Sequence, residues 1–274
     1  MPPTSTAHLP IGVFDSGLGG LTVARAIRAA LPGEDILYLG DTARVPYGAR
    51  STRTIMRYAR ACADTLEARG IKLLVVACNT VSAVALDMLR VELDMPVLGV
   101  IEPGARAAVA ATLTHKIGVI GTTSTVASGA YPRAVAALSS RAEVFPVAAP
   151  LLVPLVEEGW LEGDVPRLAI ERYLSVLAPC GVDTVVLGCT HYPMLRGLIQ
   201  QIVAEKLGAN ARVVDSAEAT ALELANSLAG RGLSGARTQQ GALHLMVTDR
   251  PQMFGEMAAR FLGHAVDDVE IVDL

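Results

Sequence analysis

The sequence predicts an α/β fold of two pseudosymmetric lobes, each a mostly parallel sheet flanked by helices, with the active site between them. Three observations carry this expectation. Short apolar runs alternate with helical patterns along most of the 274 residues. The runs are apolar throughout and not alternating, as strands covered on both faces require. Two of them, "LLVVACNT" and "TVVLGCTH", echo each other as an apolar run, one small residue, a cysteine and then polar residues.

Taken in order, "IGVFDSG" reads as a strand entering a loop, and "LTVARAIRAALPG" as a helix closed by Pro32 and Gly33. "DILYLGDT" is a second strand. "STRTIMRYARACADTLEARG" is a helix capped by Ser51 and stopped by Gly70. "KLLVVACNT" and "PVLGV" are strands on either side of one helix, "SAVALDMLRVEL". The alternation continues through "KIGVIGTT", "AEVFPVA", "DTVVLGCTH", "ARVVDS" and "LHLMVTD". A cysteine-to-cysteine spacing of about one small domain suggests two lobes. Residues 1–101 with 212–274 form the first and carry Cys78; residues 102–211 form the second and carry Cys189. The first crossover is expected near Glu102-Pro103-Gly104 and the return near Arg212.

Composition narrows the function classes. Half the residues are apolar, only 18% are charged, and the net charge of −4 comes without a lysine-rich block, so nucleic acid is not the expected partner. The opening "MPPTSTAHLP" has no basic region and no long apolar stretch, and "FPVAAPLLVPLV" is interrupted by three prolines. A soluble cytoplasmic protein with no membrane partner is expected. Four cysteines in this length do not suggest a secreted disulfide framework. Should copies associate, a homodimer is the assembly to expect.

In parallel sheets the reactive loops sit at the carboxyl ends of the strands. Asp15-Ser16, Asp41-Thr42, Cys78-Asn79-Thr80, Thr122-Thr123 and Cys189-Thr190-His191 all follow apolar runs. Cys62 shares a helical face with Ile55, Ala59 and Leu66 and reads as core, while Cys180 reads as a turn residue. Cys78 and Cys189 instead stand among hydrogen-bonding neighbours. A core thiol, a metal ligand, a nucleophile or a proton carrier would each fit one such cysteine. Zinc needs three or four ligands, and no CxxC or HExxH accompanies Cys78, Cys189 and His191, so no metal is expected. A cysteine hydrolase needs one thiol, not two in matching places. Two acid/base thiols on opposite sides of a substrate would explain the pair, because inverting a carbon centre takes a proton off one face and returns one to the other.

"GVFDSGLGGLTV", "YLGDTARVPYG", "VVACNTVSA", "LLVPLVEEG" and "VVLGCTHYPML" together closely resemble the glutamate racemase family, pyridoxal-independent enzymes that make D-glutamate for peptidoglycan. The resemblance implies Cys78 and Cys189 as the two catalytic bases, Cys78 acting on D-glutamate and Cys189 on L-glutamate. Asp15 would then hold the ammonium or help proton transfer to Cys78, His191 would assist Cys189, and Glu157, which matches the glutamate of the family's "VPLVE" segment, is a candidate for tuning that side. Asp15, Ser16, Tyr47, Gly48, Asn79, Thr80, Thr190 and His191 would contact the substrate. Histidine in "CTHYP", where aspartate racemase-like relatives usually carry glutamate, favours glutamate over aspartate. Hydroxyls, an amide and loop N–H groups can hold two carboxylates without a strongly basic site. No cofactor is expected: "FDSGLGG" lacks a nucleotide-loop register, and Lys72, Lys116 and Lys206 stand away from the reactive strand ends. A racemase for another amino acid such as aspartate, or a non-catalytic amino-acid-binding protein, are the alternatives. The latter has no need of two thiols. Glu158 reads as a solvated helix end, and His115, His244 and His264 as surface or packing residues.

Overall fold

The computed structural model describes residues 6–235, 239–266 and 268–274. Of the opening stretch "MPPTSTAHLP", the last five residues are described and the first five lie outside the described part. The strands are β1 (Ile11–Asp15), β2 (Ile36–Gly40), β3 (Leu73–Val76), β4 (Val97–Gly99), β5 (Lys116–Gly121), β6 (Glu143–Ala148), β7 (Thr184–Gly188), β8 (Arg212–Asp215), β9 (Leu243–Val247) and β10 (Glu270–Ile271). The helices between them are α1 (Leu21–Ala30), α2 (Thr52–Ala68), α3 (Asn79–Val84), α4 (Leu86–Glu92), α5 (Ile101–Ala111), α6 (Thr123–Ala127), α7 (Ala130–Leu138), α8 (Leu152–Glu157), α9 (Asp164–Leu174), α10 (Arg196–Leu207), α11 (Ser216–Arg231) and α12 (Pro251–Leu262).

The strands form two sheets, one in the order β10-β9-β2-β1-β3-β4 and one in the order β6-β5-β7-β8. Every pairing is parallel. The stretch β2-β1-β3-β4 and the whole second sheet share one winding, first strand inside, second outside, third on the other side of the first. All residues of β1, β3 and β7 are buried, which is why their sequences are apolar throughout and why both faces need helices. One core cluster runs from the first sheet to the second, joining Ile11, Val13 and Val75 with Val185 and Leu187. The outer faces have their own clusters, around Phe14, Leu74 and Cys62 in one case and Ile117, Tyr131 and Val186 in the other.

Helix α2 begins where Ser51 accepts a hydrogen bond from the Thr54 N–H and buries Ile55, Ala59, Cys62 and Leu66, so Cys62 is core as its spacing implies. The single helix expected over "SAVALDMLRVEL" is two. Ser82 donates to the Val76 carbonyl and accepts from the Val100 N–H, tying α3 to the strand ends, and the backbone leaves helical geometry at Ala85 before α4 restarts. The crossover at 102–104 falls in the first turn of α5. The return does not fall at Arg212. Residues 212–215 pair with β7 in the second sheet, so the chain leaves that sheet only after Asp215, where α11 packs on α1 and α5. Spacing alone could not reveal this, since only the pairing of "RVVD" with β7 assigns it to the second sheet. Among the described residues no helix is long and apolar enough to cross a membrane.

Candidate active site

The carboxyl ends of β1, β3, β5 and β7 converge on a cleft of about 380 Å³ whose walls include Ser16, Cys78, Thr80, Thr122, Cys189 and His191. The larger hollow of about 480 Å³ along α12 is bordered by Gln252, Glu256 and Asp268 but, among the described residues, by no thiol, hydroxyl or imidazole. The two sheets therefore bring Cys78, which follows β3, and Cys189, which follows β7, into one space. Each thiol is 5% exposed. Cys180 lies in its turn, outside this cleft.

Around Cys78 the environment is acidic. Its Sγ lies 3.4 Å from Ser16 Oγ. Burial and the nearby Asp15 carboxylate push the thiol up to about 12, against partial relief from Ser16 and the Val81 N–H. Asp15 is fully buried, and its Oδ2 accepts from the Gly17 N–H at 3.1 Å while Thr190 Oγ1 stands 3.5 Å from Oδ1. Burial raises its pKa, opposed by the charge of His191 and by N–H groups of Gly20, Gly17 and Ser16. Helix α1 has Gly20, not Asp15, at its N-cap position.

Around Cys189 the environment is cationic. His191 Nδ1 lies 3.8 Å from Cys189 Sγ, and its Nε2 lies 3.2 Å from Glu157 Oε1. Burial alone would lower the imidazole, but hydrogen bonds and charge from Cys189 and Glu157 outweigh it and carry the pKa up to about 10. The ring also meets the edge of Phe261 at 5.9 Å between centroids. Glu158 is exposed, as a helix end should be.

The glycine-rich loop after β1 has a packing reason. A Cβ on Gly20 would collide with Asp15 Cβ, and one on Gly19 would collide with Thr190 Oγ1 and come within 2.5 Å of His191 Nδ1. Thr22 fastens the same contact by donating to the Thr190 carbonyl at 2.9 Å. "SGLGG" thus seats the loop after β1 against the Cys189 loop.

The remaining expected residues meet at the cleft in different ways. Thr80 Oγ1 is 3.0 Å from Thr122 Oγ1 and 3.4 Å from Thr125 Oγ1, a hydroxyl cluster bridging the two sheets. Gly48 faces Thr122, whose Cβ a side chain at 48 would meet at 3.1 Å, and its carbonyl accepts from Ser124 Oγ at 2.7 Å. Tyr47 borders the cleft, but its hydroxyl is committed to Asp41, so what this loop can offer a ligand is backbone. Asn79 Nδ2 donates to Tyr131 Oη at 2.9 Å. Thr122, Pro150, Val153 and Pro154 also line the cleft and were not singled out as contacts by sequence. Thr122 carried a signal, its place after an apolar strand; the apolar wall and Tyr131 carried none. Lys72 sits in a buried ion pair with Glu34 at the amino end of β3, and neither Lys116, which opens β5, nor Lys206 in α10 borders the cleft.

Two parallel sheets that share a winding thus turn paired thiols into one cleft. Residues 12–224 match the Asp/Glu/Hydantoin racemase family model. The chain is 50% identical over 264 residues to the glutamate racemase of Geobacter metallireducens, covering 96% of each sequence. Among solved structures it resembles a glutamate racemase isoform from Bacillus anthracis, with TM-score 0.93, 39% identity and 98% of each chain covered. It also resembles the Francisella tularensis glutamate racemase in complex with D-glutamate, with TM-score 0.89, 34% identity, and 97% and 98% of the two chains covered. The chain belongs to the Asp/Glu/hydantoin racemase family.

Proposed function

We propose that the chain interconverts L- and D-glutamate by a two-thiol proton transfer at Cα, and that its D-glutamate serves peptidoglycan synthesis. The observation that carries the mechanism is that Cys78 and Cys189 end strands of two different sheets and line the same cleft. Glutamate is the substrate named for the similar proteins, one of them holding D-glutamate. In this reading the lobes are residues 1–101 with 216–274, bearing Cys78, and residues 102–215, bearing Cys189.

The environments assign the resting roles. A protonated His191 beside Cys189 suits a negative sulfur, and the carboxylate beside Cys78 suits a neutral thiol. With L-glutamate bound, Cys189 takes the α-proton and Cys78 delivers its own to the opposite face, leaving D-glutamate, a Cys189 thiol and a Cys78 thiolate. The reverse reaction begins from that second state. The substrate ammonium supplies a positive charge near Asp15 that eases formation of the Cys78 thiolate. Ser16, Thr80, Thr190 and the Gly48 loop hold the two carboxylates by hydroxyl and N–H donors.

The test is circular dichroism of D-glutamate with purified protein and no added cofactor. The signal should decay to zero, and in deuterated water the L-product should gain deuterium at Cα. Cys78→Ser and Cys189→Ser should each lower kcat by about 10²–10⁴ while leaving the thermal unfolding curve in place. Full activity in either variant, product without deuterium, or faster turnover of aspartate would overturn the assignment.

A further inference from the structure

We infer that Tyr131 is a positioning residue for this site: its hydroxyl orients the Asn79 amide so that Oδ1 faces the substrate ammonium. This rests on the reading just given. Tyr131 lies on α7, is 2% exposed, and belongs to no motif of the sequence. It touches the segments beside both thiols. Asn79, the residue after Cys78, donates Nδ2–H to Tyr131 Oη at 2.9 Å. Gly188, the residue before Cys189, leaves room for the ring, since a Cβ there would stand 3.1 Å from a Tyr131 ring carbon.

In this contact Asn79 Nδ2 is the donor and Tyr131 Oη the acceptor. A tyrosine oxygen placed as an acceptor can take only the NH₂ end of the amide. Asn79 Oδ1 is thereby turned away from Tyr131, and it is the buried side-chain polar atom that has no partner among the described residues. A buried acceptor without a donor is costly to keep. Asn79 borders the cleft, and an N–H-bearing ligand there, such as the α-ammonium of an amino acid, would supply the missing donor.

The test is Tyr131→Phe in the full-length protein, which keeps the ring against Gly188 and removes only the hydroxyl. The KM for glutamate should rise about tenfold, the worth of one well-made hydrogen bond, with kcat falling less. In an Asn79→Ala background, Tyr131→Phe should change KM less than about twofold, because both substitutions remove the same contact. An unchanged KM in Tyr131→Phe, or effects that add to those of Asn79→Ala, would overturn the proposal. Calorimetric binding of glutamate, run in parallel, separates the two readings. A wild-type protein that binds glutamate without racemising it sinks the racemase reading, while the change in Kd between wild type and Tyr131→Phe still decides the role of Tyr131. A wild-type protein that binds no glutamate overturns both.

Discussion

Replacing Glu157 by Gln removes one of the two groups that keep the His191 imidazole charged. Glu157 Oε1 is 3.2 Å from His191 Nε2, and the carboxylate side chain is 40% exposed against 10% for the imidazole. With a partner this open to water the effective dielectric is close to that of solvent, and Coulomb's law at this distance gives about 1–2 kcal/mol. That is about one pKa unit. The sign follows from the charge type. Glu157 favours the protonated ring, so its loss lowers a pKa that now stands up to about 10. The imidazolium then disappears at lower pH, and the alkaline limb of kcat/KM for L-glutamate should move down by about one pH unit. At pH 7 the variant should be within a few-fold of wild type, whereas near pH 10 it should be about fivefold slower. Circular dichroism of L-glutamate racemisation across the pH range reads both. Because the pair is half in solvent, added salt should shift the wild-type limb and leave that of the variant in place. An alkaline limb that stays put, or a loss of equal size at every pH, would refute the idea that Glu157 acts through the charge of His191.

Two further outcomes follow from the same geometry. In the ligand-free protein at pH 8, iodoacetamide should modify Cys189 before Cys78, because one thiol faces an imidazolium and the other a carboxylate; peptide mass spectrometry gives the order, and Cys78 first would contradict the assigned resting roles. Gly19→Ala should cost about 1–3 kcal/mol of stability by overpacking against Thr190 and His191 and lower kcat at least tenfold by displacing the ring. Thermal unfolding and steady-state kinetics measure these, and an unaltered kcat would show that the ring position does not depend on that close approach.

Much of the site was legible because its residues follow apolar strands. A buried parallel strand announces its own end, and the polar residues after it must lie at the carboxyl edge of the sheet. Asp15, Cys78, Thr122 and Cys189 were all visible in this way, and Cys62 was separable from them by its helical register. What escaped notice depends on contacts between distant segments. Tyr131 sits in an unremarkable helix and matters only because Asn79 and Gly188 come to it from two sheets. Tyr47 reads as a contact residue, yet its hydroxyl turns to Asp41, a choice made by packing. The end of the second sheet was misjudged by four residues because "RVVD" has the pattern of a strand in either sheet, and only its pairing with β7 assigns it.

The pseudosymmetry of the fold is kept where the chemistry needs it and broken elsewhere. Strand order is the same in β2-β1-β3-β4 and β6-β5-β7-β8, and each thiol follows the third strand in sequence of its set. The first strands differ: β1 ends in Asp15 and Ser16, whereas β5 ends in Gly121 and Thr122. The helper of Cys189 comes instead from its own loop, as His191, with Glu157 from α8 behind it. The substrate explains this division. Two faces of one Cα call for equivalent groups, but the two carboxylates and the ammonium of an amino acid are not related by any two-fold axis. An equal pair of thiols in equal surroundings would share one proton without preference. In the proposed mechanism, a carboxylate beside one thiol and an imidazolium beside the other favour the arrangement that takes the L-enantiomer, and for the D-enantiomer a substrate ammonium near Asp15 would supply the charge that favours the opposite one.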